Sequence, residues 1–218
     1  MRTDFAAVAG LLIASAAVRA QEPARARLDP PAAGAYALQH IFPAPEGTVL
    51  DLRGRTRRFS TFTTGKITLV SLIYTRCGDG RGCPLASYLL KQLKADIDKD
   101  PGLSRRVRFV SLSFDPANDT PRVMREYAAR YVPAPGGLSW HFLTTRSRRE
   151  LRPLLEGFGQ DVWTAAERSS EDAGALPHVL KLFLIDRSGS VREIYSTSFL
   201  QMDVLLNDIR TLLLEAGA

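Results

Sequence analysis

Residues 66–90, KITLVSLIYTRCGDGRGCPLASYLL, determine how the rest of this chain is interpreted. The first part, residues 67–74, is a nearly continuous apolar run, typical of a central strand that is covered on both faces. Three glycines then interrupt regular structure between Cys77 and Cys83, and Pro84 is a good first residue for a helix. The stretch therefore predicts a buried strand, a loop that carries both cysteines of the protein, and a helix.

The position of Cys83 at the start of a predicted helix indicates a reactive thiol. Exposed backbone N–H groups and the positive end of the helix dipole both lower the pKa of a cysteine placed there. Ligands also collect at the C-terminal ends of strands in α/β sheets, so the loop from Cys77 to Cys83 is the predicted site. From their spacing alone, the two cysteines fit a structural disulfide, a redox-active pair or a pair of metal ligands.

The whole chain has the composition of a globular protein with one domain. It has 218 residues, of which 45% are hydrophobic and 24% charged. Residues 1–20 resemble a secretory signal peptide, although an uncleaved anchor stays open; their apolar run is shorter than the roughly 20 residues that a membrane span requires. Residues 21–35 are rich in Pro, Ala and Arg and predict a flexible linker, and residues 36–218 form the predicted domain.

The formal net charge of +6 comes from scattered arginines. No recognition-helix or base-stacking motif accompanies them, so nucleic-acid binding is excluded as an interpretation. A basic surface of this kind suits an acidic partner or an anionic membrane surface.

Beyond the cysteines, strand and helix patterns alternate. The predicted order is a hairpin, three strand–helix units, a second hairpin and a last helix, which gives an α/β thioredoxin-like sandwich with a mixed central sheet, an N-terminal β-hairpin and helices on both faces. The strands are expected within 48–59, at 67–74, 107–114, 140–143, 179–186 and 191–195, and the helices at 85–97, 121–131, 147–158 and 200–215.

His178 lies just before the predicted strand VLKLFLID. In a thioredoxin-like arrangement the beginning of this strand faces the loop after the first core strand, so His178 could meet Cys77 and Cys83. Two thiolates with one imidazole suit copper, whereas a structural zinc site usually takes a fourth protein ligand. For a lone histidine, however, a polar loop residue is the simpler interpretation. For Asp115 and Asp119 the simpler interpretations are a turn residue and a helix cap.

Four features occur together and in order: YTRC followed by CPL around Cys77 and Cys83, FDP followed by DTP around Asp115 and Asp119, His178 five residues before FLID, and a glycine in the next turn. In this combination the chain resembles the Sco/SenC family of thioredoxin-fold copper proteins over most of residues 36–214. One difference is that the family pattern has three residues between the cysteines, whereas this chain has five, residues 78–82.

The resemblance implies an exported copper metallochaperone rather than an enzyme. Copper would be held by Cys77, Cys83 and His178, and the protein would aid assembly of a copper centre such as that of cytochrome c oxidase. Its partners would be a copper-receiving oxidase subunit or other cuproprotein, and a copper donor or thiol reductant. Its location would be the periplasm, or the membrane facing the periplasm if the signal stays uncleaved.

The alternative is a thiol–disulfide oxidoreductase of the thioredoxin class that uses Cys77 and Cys83 as its redox pair. Two features disfavour it: the usual two-residue gap between the cysteines is missing, and Leu180 occupies the position of that class's cis-proline. A peroxidase is disfavoured further, because no threonine-proline-cysteine motif is present. A binding module with only a structural disulfide is the third possibility.

Overall fold

Eight strands and six helices make up the part of the chain that the computed structural model describes, residues 30–77, 82–132, 136–160, 181–196 and 200–215. The strands are β1 (Phe42–Pro43), β2 (Thr48–Leu50), β3 (Thr56–Arg58), β4 (Ile67–Ile73), β5 (Val107–Ser113), β6 (Ser139–Leu143), β7 (Lys181–Ile185) and β8 (Ser190–Ser196). The helices are α1 (Ser60–Thr63), α2 (Cys83–Ile97), α3 (Pro101–Arg106), α4 (Pro121–Tyr131), α5 (Arg148–Gly157) and α6 (Met202–Glu215).

Six strands form one mixed sheet in the order β1-β8-β7-β4-β5-β6. β4, β5 and β6 run parallel, while β7 pairs antiparallel with both β4 and β8. β2 and β3 form a separate antiparallel hairpin ahead of the central strand. Helices cover both faces of the sheet, so the predicted mixed sheet, N-terminal hairpin and two-sided helical cover are confirmed.

The core is centred on β4 and β5, in which every residue is buried. Their apolar runs are explained by this double cover, because a strand with helices on both faces has no side exposed to water. The few polar side chains in these strands are paired. The hydroxyl of Ser71 lies 2.8 Å from that of Ser111, which also accepts a 3.0 Å hydrogen bond from Nε1 of Trp140.

Two helices differ in detail from the sequence prediction. α3 occupies a stretch where only a break was expected, because Asp100 caps it by accepting hydrogen bonds from the backbone N–H groups of Gly102 and Leu103. α5 starts after Ser147 as predicted and contains Pro153 in its interior. Ser147 caps α5 by accepting from the N–H of Glu150, while the Glu150 carboxylate accepts from the N–H of Arg146.

The segment before β1 lies along α6. Gly34 donates its N–H to Thr211 Oγ1 at 3.0 Å, Asn207 donates to the Pro31 carbonyl at 2.9 Å, and the Tyr36 hydroxyl donates to Asp208 at 2.5 Å. The predicted signal peptide and the first part of the predicted linker lie outside the described residues. In the described part of the chain, every helix is too short or too polar to cross a bilayer.

Arg192 joins this N-terminal segment, β8 and α6. Its guanidinium is buried, lies 3.0 Å from Asp186 and 2.8 Å from Glu215, and also donates to the backbone carbonyls of Gln39 and Leu38. Removing it takes the cationic partner from the buried Asp186 carboxylate and a donor from two carbonyls, which is costly because these groups stay desolvated.

We therefore expect Arg192→Ala to lower the free energy of unfolding by about 3 kcal/mol, measured by urea denaturation. The matched control is Arg122→Ala, which removes a pair with Glu126 that is exposed on both sides and is expected to cost less than about 0.5 kcal/mol. Equal losses in the two variants would contradict this role for Arg192.

Because of Asp186, the contribution of this cluster to the stability of the fold depends on pH. Burial raises the pKa of its carboxyl, but hydrogen bonds from Ser188, Ser190 and Arg192 outweigh burial and hold the pKa below the ordinary 3.8. A lowered pKa stabilises the fold above pH 3.8, and the contribution is lost as pH falls through the folded-state value. We expect wild type to lose more stability than Asp186→Asn between pH 5 and pH 2, measured by urea denaturation at each pH; parallel pH profiles would refute this assignment.

Candidate dithiol site

Both cysteines lie at the junction between β4 and α2. β4 ends at Ile73, and Cys77 follows after a tight turn in which its N–H donates to the Tyr74 carbonyl at 3.4 Å. Cys83 is the first residue of α2, and Gly82 is the N-cap. Residues 78–81 lie outside the described part of the chain. The predicted sequence of strand, cysteine loop and helix is confirmed, and we call residues 74–83 the cysteine loop.

The two thiols are neighbours and both are reduced. Neither cysteine forms a disulfide, and their exposed fractions are 9% for Cys77 and 0% for Cys83. The Cys77 side chain hydrogen-bonds that of Cys83, and its charge acts on the Cys83 thiol. The five-residue gap between the cysteines therefore still brings the two sulfur atoms together, although they are further apart in sequence than one helical turn.

The predicted lowering of a thiol pKa is wrong for Cys83. Its pKa is raised, chiefly because burial disfavours the thiolate, and the adjacent Cys77 adds to the effect; hydrogen bonds from backbone N–H groups oppose it without prevailing. The helix N-terminus is present as expected, but its stabilisation of an anion is smaller than the desolvation of a fully buried sulfur. A free thiolate is therefore disfavoured at this position.

Asp119 fixes the first part of the cysteine loop to the end of β5. Its carboxylate accepts hydrogen bonds from the Thr75 N–H at 3.1 Å, the Thr75 hydroxyl at 2.5 Å and the Ser113 hydroxyl at 2.5 Å. Asp119 is fully buried, and burial raises its pKa despite these three donors. The cap of α4 is instead Thr120, whose hydroxyl accepts from the Val123 N–H. Asp119 is thus a positioning residue for the loop.

Asp115 holds the other side of the same turn. It is buried, it accepts two hydrogen bonds from the Asn118 amide at 3.0 and 2.9 Å, and its carboxylate lies 3.3 Å from the Arg76 guanidinium. The Arg76 side chain is 65% exposed, so this ion pair is screened by water and contributes little to stability. Its effect is to hold Arg76, the residue before Cys77, against the β5–α4 turn.

On its helix side, Cys83 adjoins a buried polar pair. The Ser87 hydroxyl lies 2.7 Å from that of Tyr127, which links α2 to α4. Burial raises the pKa of Tyr127, and the Cys83 charge is a smaller cause in the same direction. The phenol is therefore neutral at physiological pH and serves as a hydrogen-bonding support beneath the first turn of α2.

His178, the third predicted ligand, lies outside the described residues. Of the other histidines, His40 is exposed and its Nδ1 lies 3.0 Å from the Ser190 hydroxyl, while His141 packs against Phe62 with ring centroids 5.0 Å apart. Within the described residues, no group of three or more His, Cys, Asp or Glu side chains is arranged to hold a metal ion. The ligand set of Cys77, Cys83 and His178 stays a prediction.

A dithiol at the C-terminal end of the central strand of such a sheet places the chain among the thioredoxin-like proteins. The family model described as SCO1/SenC matches residues 48–214, most of the chain, and the chain belongs to that family. The SCO1 protein homolog of Bacillus subtilis (strain 168) is 28% identical over 152 residues, which cover 67% of this chain and 71% of that protein.

Solved structures agree in fold. The copper-bound crystal structure of ScoI from Arabidopsis thaliana matches with a TM-score of 0.65 and 19% identity, covering 79% of this chain and 98% of that one. Copper-bound yeast Sco1 matches with a TM-score of 0.63 and 17% identity, covering 78% and 90%. The Sco/SenC resemblance recognised in the sequence is thereby confirmed.

The contacts of Asp119 predict how its replacement affects the two thiols. Asp119→Ala removes three hydrogen bonds to Thr75 and Ser113, so we expect the loop to open more often and both thiols to react with a disulfide reagent about tenfold faster or more. Asp119→Asn keeps an oxygen for two donors and can donate to the Thr75 hydroxyl, so its rate should stay near that of wild type.

Asp100→Ala is the matched control for this experiment, because it removes a helix cap beside the opposite end of β5 at a cost of about 1 kcal/mol. It should leave thiol reactivity unchanged. If Asp119→Ala and Asp100→Ala accelerate the reaction equally, the effect reports general destabilisation, and Asp119 does not position the loop.

Proposed function

We propose that this protein is an exported copper metallochaperone that holds one copper ion between Cys77, Cys83 and His178 and aids assembly of a copper centre such as that of cytochrome c oxidase. The observation that carries the proposal is the pair of adjacent, buried, reduced thiols in a chain of the SCO1/SenC family. Relatives in this family have been solved with copper bound, from Arabidopsis thaliana, Bradyrhizobium japonicum and yeast.

The donor set suits copper as cargo. Two cysteine sulfurs are soft ligands that favour Cu(I), and an imidazole is compatible with either oxidation state of copper. The burial that disfavours a free thiolate at Cys83 is offset when a cation arrives, because a coordinating thiol gives up its proton to solvent. The Cys83 thiol is therefore kept protonated until metal is delivered.

The rest of the site holds the two sulfurs in place during transfer. Asp119 fixes the backbone and hydroxyl of Thr75, two residues before Cys77, and α2 fixes Cys83 at its first turn. His178, the third proposed ligand, lies outside the described residues. The longer gap between the cysteines is accommodated because the two thiols already meet without metal.

Export is part of the proposal and rests on the signal-like composition of residues 1–20. A SCO1/SenC family protein from Bacillus anthracis that shares the fold is a lipoprotein, which supports a location outside the cytoplasm, either periplasmic or anchored to the membrane. The copper-receiving partner would be an oxidase subunit or another cuproprotein.

A second function, thiol–disulfide exchange through Cys77 and Cys83, is favoured by the same adjacency. Two reduced thiols in contact can close to a disulfide when an oxidised partner accepts their two electrons and protons. A disulfide switch has been identified in BsSco, which shares this fold. Copper uptake and disulfide reduction are therefore measured on the same reduced sample.

The test is an anaerobic copper titration of reduced wild-type protein beside Cys77→Ser, Cys83→Ser and His178→Ala. We expect wild type to bind about one equivalent, because one set of soft ligands is available. Each serine variant should lose high-affinity binding, and His178→Ala should bind more weakly with an unchanged circular dichroism spectrum. His40→Ala is the control, since His40 is exposed and bonded only to Ser190 among the described residues.

Reduced wild type that binds no copper but rapidly reduces an insulin-like disulfide would establish the oxidoreductase function instead. Binding of equal strength in His178→Ala and His40→Ala would remove His178 from the ligand set while leaving the thiol pair in it.

A further inference from the structure

A groove separates the β2–β3 hairpin from β6, on a part of the molecule that the dithiol chemistry does not use. It has a volume of about 260 Å³. Its floor includes Phe62 and His141, whose rings pack together, and its rim includes Arg53, Arg55 and Arg57. We call this feature the hairpin groove. It combines an apolar floor with a cationic rim.

Of the rim arginines, Arg53 and Arg55 lie in the turn that joins β2 to β3, and Arg57 lies in β3. Asp51 accepts hydrogen bonds from the N–H groups of Arg53 and Arg55 and pairs with the Arg55 guanidinium at 2.8 Å. Within the described residues, no carboxylate lies within 4.0 Å of the guanidinium of Arg53 or Arg57. Two exposed positive charges at the mouth of the groove are therefore not neutralised by the described part of the chain.

Among the described strands, β6 is at the edge of the six-stranded sheet and pairs there with β5 alone. The hairpin meets this edge just beyond the end of β6, where Leu50 and Thr144 exchange backbone hydrogen bonds of 2.7 and 3.1 Å. The backbone of Ser139–Leu143 thus borders the groove along its outer side. An edge strand of this kind can pair with an added strand from another molecule.

We propose that the hairpin groove binds an extended acidic segment of a partner protein, which adds a strand beside β6 and places its carboxylates against Arg53 and Arg57. Backbone hydrogen bonds would supply affinity, and alternate apolar side chains would fit against Phe62 and His141. The selection for acidic residues follows from charge complementarity at the rim.

The neutral state of His141 favours a partner segment that contains apolar as well as acidic residues. Burial lowers its pKa, and the positive charges of Arg108 and Lys66 lower it further. An imidazole without charge lets an apolar side chain sit on the floor of the groove, so the positive charge is confined to the rim. A segment that alternates acidic and apolar residues matches this arrangement.

The C-terminal end of β6, beside the groove, lies at the same edge of the sheet as the C-terminal end of β4, which the dithiol follows. β4, β5 and β6 are parallel, and Leu72, Leu112 and Leu143 share one register across them. Two strand spacings, about 10 Å, separate β4 from β6. Binding of a partner in the groove needs no metal at the dithiol.

The test uses a fluorescein-labelled peptide of alternating Glu and Val, and fluorescence anisotropy at low ionic strength. We expect Arg53→Glu combined with Arg57→Glu to weaken binding about tenfold or more, since two attractive rim charges become repulsive. The matched control combines Arg105→Glu with Arg106→Glu, exposed arginines of α3 that precede β5, and should change binding less than about twofold.

A second peptide alternates Glu and Pro, with the same charge but no N–H at every other residue, and should bind at least about tenfold more weakly because it cannot pair with β6. Amide chemical-shift changes caused by the Glu/Val peptide should concentrate in Ser139–Leu143 and residues 53–57. Equal binding of the two peptides, equal loss in both double variants, or shift changes elsewhere would overturn the proposal. So would wild type that ignores the peptide but binds phosphatidylglycerol vesicles through Arg53 and Arg57.

Discussion

A single buried carboxylate holds together the two strand ends that form the site. Asp119 collects three donors, two from Thr75 after β4 and one from Ser113 at the end of β5. Burying a charge is costly unless it is hydrogen-bonded on several sides, and here the three bonds come from Thr75 and Ser113, at the ends of the two central strands. The carboxylate therefore links the backbone just before Cys77 to the core of the sheet. This link restricts the motion of the first part of the cysteine loop.

The sequence predicted the scaffold well because its signals are local. The apolar runs of β4 and β5 could belong only to strands with cover on both faces, and Thr120 followed by Pro121 marks the start of α4. The last strands and α6 also lie where their patterns predicted. α3 was missed because Asp-Pro-Gly serves equally as a turn or as a capped first helical turn, and the choice depends on Asp100 side-chain geometry.

The positions of the two cysteines were predicted from the sequence, but the raised pKa of Cys83 was not. The strand–loop–helix pattern located both cysteines, whereas the pKa of Cys83 depends on how deeply α2 packs, which no local pattern records. The sequence predicts Asp119 or Thr120 as the cap of the following helix, whereas the bonds that Asp119 accepts from Thr75 span 44 residues of sequence. Contacts of that range are set by the register of β4 against β5, and an isolated motif cannot reveal them.

The contacts between the N-terminal segment and α6 affect how the domain is oriented relative to the residues that precede it. Pro31, Gly34 and Tyr36 bond to α6, and β1 pairs with β8 at the sheet edge opposite to β6. The described part of the chain therefore begins beside α6. If the residues before residue 30 attach the molecule to a surface, the far flank, which carries β6 and the exposed arginines of the β2–β3 hairpin, faces approaching molecules.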